Sequence, residues 1–114
     1  MTASINIIHI LAIAPLFFYI GSQRDKTPEW LLNSLAPLGA FILLYHAYRA
    51  YGKMQNGKSA WVNWIHILLV APLLIWIGVY KNECPRSCFE ILMMLGFAVL
   101  GYHGYYLISE SLAA

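Results

Sequence analysis

Four apolar segments separated by short charged breaks are the feature that most restricts how this chain folds. They cover about 17 to 21 residues each, over residues 5–21, 30–48, 61–80 and 88–108. A helix needs about 20 apolar residues to cross the ~30 Å hydrocarbon layer of a bilayer. Only 11% of the residues are charged, against about 25% in soluble domains. The sequence therefore predicts an all-α, polytopic membrane protein with four transmembrane helices in a lipid bilayer.

The chain also carries an internal repeat. Residues 5–52 align with residues 62–109 at a constant offset of 57 without a gap, and 18 of the 48 aligned positions are identical. The identities include all four histidines, in the aligned pairs His9/His66 and His46/His103. Each repeat has two predicted helices, so both repeats enter the membrane from the same side. We predict a single membrane domain, residues 1–114, of two tandem parallel-repeat helical hairpins with a pseudo-twofold axis along the membrane normal.

The same parity places both termini and the link between the repeats on one side of the membrane. Three basic residues lie on that side and four on the hairpin side, so the positive-inside rule does not decide the orientation. The link contains no acidic residue, and Cys84 and Cys88 lie on the hairpin side. A disulfide between them would persist in an oxidising compartment, and two thiols are the alternative. These features favour a cytoplasmic location for both termini.

The four histidines are predicted to lie near the membrane face that carries the termini. His9 and His66 lie about one turn inside the first helix of each repeat, and His46 and His103 lie about one turn before the end of the second. At 1.5 Å of rise per residue, all four fall within about 7–10 Å of the interface. They are therefore expected to act as one set in one leaflet.

Two kinds of polar neighbour accompany these histidines. Asn6 and Asn63 each precede the histidine of their own helix by three residues, which places them on its face. Their amide oxygens are expected to accept the imidazole N–H and so fix which ring nitrogen remains available. Tyr45 and Tyr102 directly precede the second-helix histidines and would supply a hydroxyl.

A metal ion or a haem-like cofactor is the ligand that this arrangement favours. Neutral imidazole is the commonest metal ligand, and a partner on the other ring nitrogen orients it. Gly39 and Gly96 lie seven residues before the second-helix histidines, two turns away on the same face, where a flat group would fit. This spacing resembles the Gly-and-His arrangement of b-type cytochromes. The resemblance implies two axial pairs, His9 with His46 and His66 with His103; a bare Zn²⁺ or Cu²⁺ on all four histidines is the variant.

An oligomeric, pH-responsive proton or ion channel or carrier is the first alternative. Pro15, Pro37 and Pro72 each remove a backbone hydrogen bond and kink a helix, and discontinuous helices in transporters use such carbonyls for ions. Titratable histidines at the helix ends would gate the pathway. The residues deeper on the same faces are apolar, which is typical of a gate rather than of a continuous polar path.

A structural role without any ligand is the second alternative. Near a helix end, His, Asn and Tyr belong with Trp to the interfacial belt and tie helices together. Small residues would allow close helix contacts, and the broad apolar faces predict a homo-oligomer; these small residues are Ala36, Ala40, Gly101 and Gly104. The sequence contains no pattern that supports an enzyme class. Its net charge of +2 gives no support to a nucleic-acid partner.

The text pattern "IHILxxAPLxxxIG…GYHGY" combines the first helix of a repeat with the end of the second. Together with the duplicated short hairpin, it resembles small membrane proteins encoded by large DNA viruses of algae and protists. The resemblance covers most of the chain. It implies a small duplicated-hairpin membrane protein and no particular activity.

Overall fold

The computed structural model describes residues 3–113, which form four long helices and no strand. The helices are α1 (Ala3–Lys26), α2 (Glu29–Gln55), α3 (Trp61–Glu83) and α4 (Arg86–Ala113). Each is long and apolar enough to cross a membrane, so the predicted all-α class with four membrane-length helices is confirmed. Each helix extends past its apolar segment at the C-terminal end, to Lys26, Gln55, Glu83 and Ala113. Residues 1, 2 and 114 of the predicted domain lie outside the described residues.

The helices pack in two pairs, each of which is a compact unit. Unit 1 contains α1 and α4, and unit 2 contains α2 and α3. Each unit therefore combines the first helix of one repeat with the second helix of the other. The contacts that hold each pair therefore join the two repeats.

A π-helical turn interrupts both α1 and α3 just before a proline. It covers His9–Ile13 in α1 and His66–Val70 in α3. Pro15 and Pro72 have no N–H, and their rings clash with the carbonyl four residues earlier. The preceding turn widens, and the N–H of the residue before each proline bonds to the histidine carbonyl five residues earlier. Such π turns occur frequently at functional sites, and here each begins at a histidine.

The third proline named from the sequence behaves differently. Pro37 lies inside α2, which continues as an α-helix from Glu29 to Gln55 without a π-helical turn. The residue at the equivalent position of the second repeat is Met94, so this proline is not part of the repeated pattern. The two π turns are therefore specific to the first helix of each repeat.

Apolar side chains at equivalent positions form the interior of both units. Between 0% and 2% of each of these side chains is exposed, and they are Ala14, Phe17, Ile20, Phe89 and Leu92 in unit 1 and Ala71, Leu74, Ile77, Leu32 and Leu35 in unit 2. Lipid tails are as apolar as these residues, so in a bilayer the gain comes from van der Waals packing. That packing depends on how closely the helix backbones approach.

Glycines set the approach of the two helices in unit 2. A Cβ atom added to Gly78 would lie 2.4 Å from the backbone nitrogen of Ala36, and one added to Gly39 would lie 2.8 Å from Cγ1 of Ile75. Neither distance is compatible with a side chain at the glycine. The small residue predicted at Ala36 therefore does make a close helix contact.

The same contacts recur in unit 1 with different side chains. A Cβ atom added to Gly21 would lie 3.1 Å from Cβ of Met93, and one added to Gly96 would lie 3.0 Å from the ring of Phe18. Each of these four residues stands 57 positions from its counterpart in unit 2. The two units therefore use one packing pattern, with larger partner side chains in unit 1.

The α-helical part of α1 and of α3 ends just before a basic residue with a positive φ angle, which begins a final 3-10 turn. Arg24 has φ 54° and Lys81 has φ 48°, and their N–H groups bond to the carbonyls of Ile20 and Ile77. A side chain at such an angle strains the backbone by about 1–3 kcal/mol. A proline starts the next helix four residues later in both cases, so the two breaks share one geometry.

The two cysteines lie at the second of these breaks. Cys84 is buried, and its thiol donates to the carbonyl oxygen of Trp76 at 3.6 Å. Cys88 is half-buried in the first turn of α4. Both are thiols in the structure, which is the second of the two states considered from the sequence.

Candidate functional site

The four histidines form two stacked pairs, one in each unit. In unit 1 the ring centroids of His9 and His103 lie 4.0 Å apart with their planes at 20°. In unit 2 those of His46 and His66 lie 3.9 Å apart at 10°. The pairs thus differ from the axial pairs implied by the cytochrome resemblance, His9 with His46 and His66 with His103. The reason is that each packed helix pair takes one helix from each repeat.

The first-helix histidine of each pair is held by its own backbone. Nδ1 of His9 donates to the carbonyl of Ile5 at 2.7 Å, and Nδ1 of His66 donates to the carbonyl of Val62 at 2.7 Å. A carbonyl oxygen only accepts, so the hydrogen of each neutral ring is on Nδ1 and the lone pair is on Nε2. The two rings therefore have the same tautomer and the same anchor four residues earlier.

In unit 1 the second-helix histidine bonds to an asparagine of the facing helix. Nδ1 of His103 donates to Oδ1 of Asn6 at 2.9 Å. Asn6 is 0% exposed and His103 is 3% exposed, so this bond lies in the interior of the unit. The prediction that Asn6 holds His9, three residues later on its own helix, is wrong, because the backbone carbonyl of Ile5 already accepts that proton.

In unit 2 the asparagine is oriented the other way. Nζ of Lys53 donates to Oδ1 of Asn63 at 2.7 Å, and Nδ2 of Asn63 lies 2.9 Å from Nδ1 of His46. An ammonium group has no acceptor, so the Asn63 atom that faces it is the oxygen. The amide nitrogen must then donate to His46, whose Nδ1 accepts. The hydrogen of the neutral His46 ring is consequently on Nε2, the opposite of His103.

The inverted amide of unit 1 leaves one polar atom without a partner. Nδ2 of Asn6 is buried and has no hydrogen-bond partner within residues 3–113. An unpaired buried donor costs about 1–3 kcal/mol. The residue 57 positions after Lys53 is Glu110, so a cation in one repeat corresponds to a carboxylate in the other. The change from Lys53 to Glu110 thus accompanies the opposite orientation of the Asn63 and Asn6 amides.

The two tyrosines predicted as neighbours contact the histidine rings edge-on. The ring centroids of Tyr45 and His46 lie 5.2 Å apart at 88°, and those of Tyr102 and His103 lie 5.1 Å apart at 83°. An aromatic edge is positive and a face is negative, so this geometry is favourable. The tyrosines thus define one side of each second-helix ring.

The residues present do not fit haem. The space expected beside Gly39 is occupied by Ile75, and that beside Gly96 is occupied by the Phe18 ring. The imidazoles of each pair stack face to face at van der Waals distance, whereas axial ligands point at one iron atom from opposite sides of a porphyrin. The space beside Gly39 and Gly96 is therefore not open to a flat cofactor.

A bare metal ion also lacks a ligand set within the described residues. Nowhere in residues 3–113 do three His, Cys, Asp or Glu side chains come together in a way that could hold a metal. Zinc takes four ligands in structural sites and three in catalytic ones. Each unit supplies two imidazoles, fewer than the three protein ligands of a catalytic zinc site.

We name the two groups by their members. Cluster 1 is Asn6, His9 and His103, and cluster 2 is Asn63, His46 and His66 with Lys53 bonded to it. The sequence identified the histidines and asparagines but not Lys53, which lies with Glu110 one position beyond the aligned residues at the same offset of 57.

The fold and the clusters define a class: a small helical protein with four membrane-length helices and paired, stacked imidazoles. Comparison of the chain with protein-family models, with curated proteins and with solved structures found no match. The two clusters are consequently the features of the chain that bear on its function.

Proposed function

We propose that the chain is an integral membrane protein that responds to pH through its two Asn–His–His clusters, which differ in their readiness to take up a proton. The observation that carries this proposal is the opposite orientation of the two amides. Asn6 accepts a hydrogen bond from His103, whereas Asn63 donates one to His46. Histidine is the side chain that ordinarily changes charge between pH 5 and 8.

Cluster 1 is suited to gaining a proton. His103 already donates from Nδ1 to Asn6, so a proton added at Nε2 leaves that bond in place. A charged donor also strengthens the bond. The ionisable groups whose rings contact His103 are His9, stacked on it, and Tyr102, edge-on.

Cluster 2 is suited to remaining neutral. The hydrogen of His46 is on Nε2, so a proton would have to add at Nδ1, where it would face the Nδ2 donor of Asn63. Relief requires rotation of the amide, which the ammonium of Lys53 on Oδ1 opposes. His46 is stacked on His66, contacts Tyr45 edge-on and faces the positive Lys53 through the amide of Asn63.

Stacking limits each pair to one proton. A neutral ring stacks acceptably on an imidazolium, but two unit charges at about 4 Å repel by about 4 kcal/mol at an effective dielectric constant of 20. As pH falls, cluster 1 is expected to become singly charged first. We propose that this charge alters the packing of α1 on α4 at the π turn and so opens or closes a proton path.

The wider membrane arrangement is part of this proposal. We infer two tandem parallel repeats with both termini on one side, supported by π turns, positive φ angles and glycine contacts that recur at an offset of 57. Side-by-side assembly would use Gly101 and Gly104, where an added Cβ atom would meet nothing within 4 Å in the chain. Helices of neighbouring protomers in an oligomer would then complete the lining of a proton path.

The test is ¹⁵N NMR of histidine side chains in lipid nanodiscs between about pH 8 and pH 5. We expect signals of cluster 1 to move over this range and His46 to keep its Nε2–H signature. Identical titration of both clusters would contradict the proposal. Proteoliposomes loaded with a pH dye then report whether protons cross. Stoichiometric Zn²⁺ binding that His46→Ala and His103→Ala abolish would instead favour the metal-ligand function.

A further inference from the structure

A basic cavity lies at the C-terminal end of α2, in unit 2. Its volume is about 410 Å³, and its lining includes Tyr48, Arg49, Tyr51, Lys53 and Lys58. Three of these residues are cationic, and the whole lining contains no acidic residue. A cavity of this composition selects an anion.

The three cations are not neutralised by ion pairs. The ion pairs found within residues 3–113 join Lys81 to Glu29 and Arg86 to Glu90, and neither involves the cavity. The helix end carries about −0.5 of an elementary charge, which is small beside three positive side chains. The cavity therefore keeps a net positive charge.

The cations are also not required to cap the helix. The N–H of Lys58 bonds to the carbonyl of Lys53 at 2.8 Å, and Gly57 between them has φ 67°. This backbone arrangement with a left-handed glycine satisfies the last carbonyls of a helix. The basic side chains are thus not needed to end α2.

The other repeat provides an internal comparison. The positions equivalent to Arg49 and Lys53 are Tyr106 and Glu110. The end of α4 therefore forms a helix of the same kind without either cation. The helix that the two repeats share forms without these charges, so Arg49 and Lys53 are a feature of α2 and not of the repeat.

We propose that this cavity binds the phosphate group of an anionic membrane lipid. Tyr48 and Tyr51 are 76% and 63% exposed at the end of a membrane-length helix, and such tyrosines belong at the headgroup boundary. A lipid phosphate arrives at that depth with its chains in the bilayer. Basic pockets at helix ends and polybasic segments next to membrane helices recognise anionic lipids by this chemistry.

Lys53 connects the cavity to cluster 2. Lys53 lines the cavity, and its ammonium donates to Oδ1 of Asn63. A phosphate that draws Lys53 away removes the constraint on the amide, which can then rotate and let His46 gain a proton at Nδ1. This coupling rests on the proposed function, whereas the binding of the phosphate does not.

Binding is tested by native mass spectrometry of the intact chain with phosphatidic acid, phosphatidylglycerol or phosphatidylcholine added. Each cation near an anionic leaflet contributes about fivefold in affinity. The double variant Arg49→Gln/Lys58→Gln should therefore bind the anionic lipids about 30-fold more weakly. The control Lys26→Gln/Arg86→Gln removes the same charge at other exposed sites and should bind nearly as the parent does.

Several results would overturn the proposal. If the control variant binds the anionic lipids as weakly as the double variant does, the attraction comes from the overall charge of the chain and not from the cavity. If the parent chain binds phosphatidylcholine as well as it binds the anionic lipids, the cavity does not select anions. Displacement of the anionic lipids by millimolar inorganic phosphate would identify free phosphate as the ligand instead. Coupling is read separately from the His46 ¹⁵N signals with and without phosphatidic acid. Unchanged signals would overturn the coupling while leaving the lipid site and the pH response of cluster 1 standing.

Discussion

The ammonium of Lys53 lies 2.7 Å from Oδ1 of Asn63, and the amide nitrogen of the same asparagine lies 2.9 Å from Nδ1 of His46. One surface-proximal cation therefore determines which nitrogen of a partly buried imidazole carries the hydrogen. The equivalent position of the other repeat holds Glu110, and there the asparagine presents its oxygen to His103.

Replacing the cation should invert cluster 2. In Lys53→Glu the carboxylate would accept from Nδ2 of Asn63, and Oδ1 would then turn to His46. We expect the ¹⁵N spectrum of His46 to change from an Nε2–H to an Nδ1–H tautomer. Lys58→Glu, which changes the same charge without touching Asn63, is the control. An unaltered His46 spectrum in Lys53→Glu would show that packing, rather than Lys53, orients the amide.

A carboxylate at Asn6 should make cluster 1 more basic. Asn6→Asp keeps an acceptor for Nδ1 of His103 and removes the unpaired Nδ2 donor. A carboxylate beside an imidazole favours its charged form, so the proton should be taken up at higher pH than in the parent chain. The contribution of this pair to stability would be present at low pH and lost as pH rises past the titration. Asn63→Asp, whose carboxylate would pair with Lys53, should shift its histidine less.

Much of the architecture was accessible from the sequence, but the packing partners were not. The length of the apolar segments and the scarcity of charged residues predict four membrane-length helices. Pro15 and Pro72 predict an irregular turn in the first helix of each repeat. Short loops bring helices together only in chain order, whereas the pairing depends on side-chain fit, such as Gly78 against Ala36. The equivalent contact of Gly21 with Met93 joins α1 to α4, and the two contacts together set which histidines pair.

The chemistry of the clusters was missed for a related reason. Asn6 and His9 share a face of an ideal helix, but the backbone carbonyl of Ile5 takes the His9 proton. The asparagine is then available to the facing helix. A single helix viewed alone could not reveal this competition. The Lys53/Glu110 reversal was the one signal in the sequence that distinguished the two clusters.

Glycine substitutions should separate contact positions from open ones. Gly78→Ala places a methyl group 2.4 Å from the Ala36 backbone nitrogen, and overpacking of this kind costs about 1–3 kcal/mol. We expect thermal unfolding in detergent, followed by circular dichroism, to shift to lower temperature. Gly52→Ala, where nothing lies within 4 Å, is the matched control and should be neutral or slightly stabilising. Equal destabilisation by both would refute the close contact.

The strained breaks predict the opposite effect. Arg24→Gly and Lys81→Gly remove a Cβ atom from residues with φ 54° and 48°, and each should stabilise the chain by about 1 kcal/mol. Gly57→Ala, at φ 67°, should destabilise it by a similar amount. The measurement is the unfolding midpoint in a denaturing-detergent titration. If Arg24→Gly lowers the midpoint, the arginine side chain contributes more than the strain costs.

A chain cut at the link should reassemble from its halves. Unit 1 takes α1 from the first repeat and α4 from the second. Unit 2 takes α2 from the first repeat and α3 from the second. Neither half contains a complete packed pair, so each needs the other. We expect residues 1–57 and 58–114 to co-purify after coexpression when only one half carries a tag. Gly78→Ala and Gly21→Ala, one in each unit's contact, should together abolish the association. Gly52→Ala and Gly101→Ala, both facing open space, should leave it intact. Halves that purify separately in every case would show that the packed pairs do not hold the repeats together.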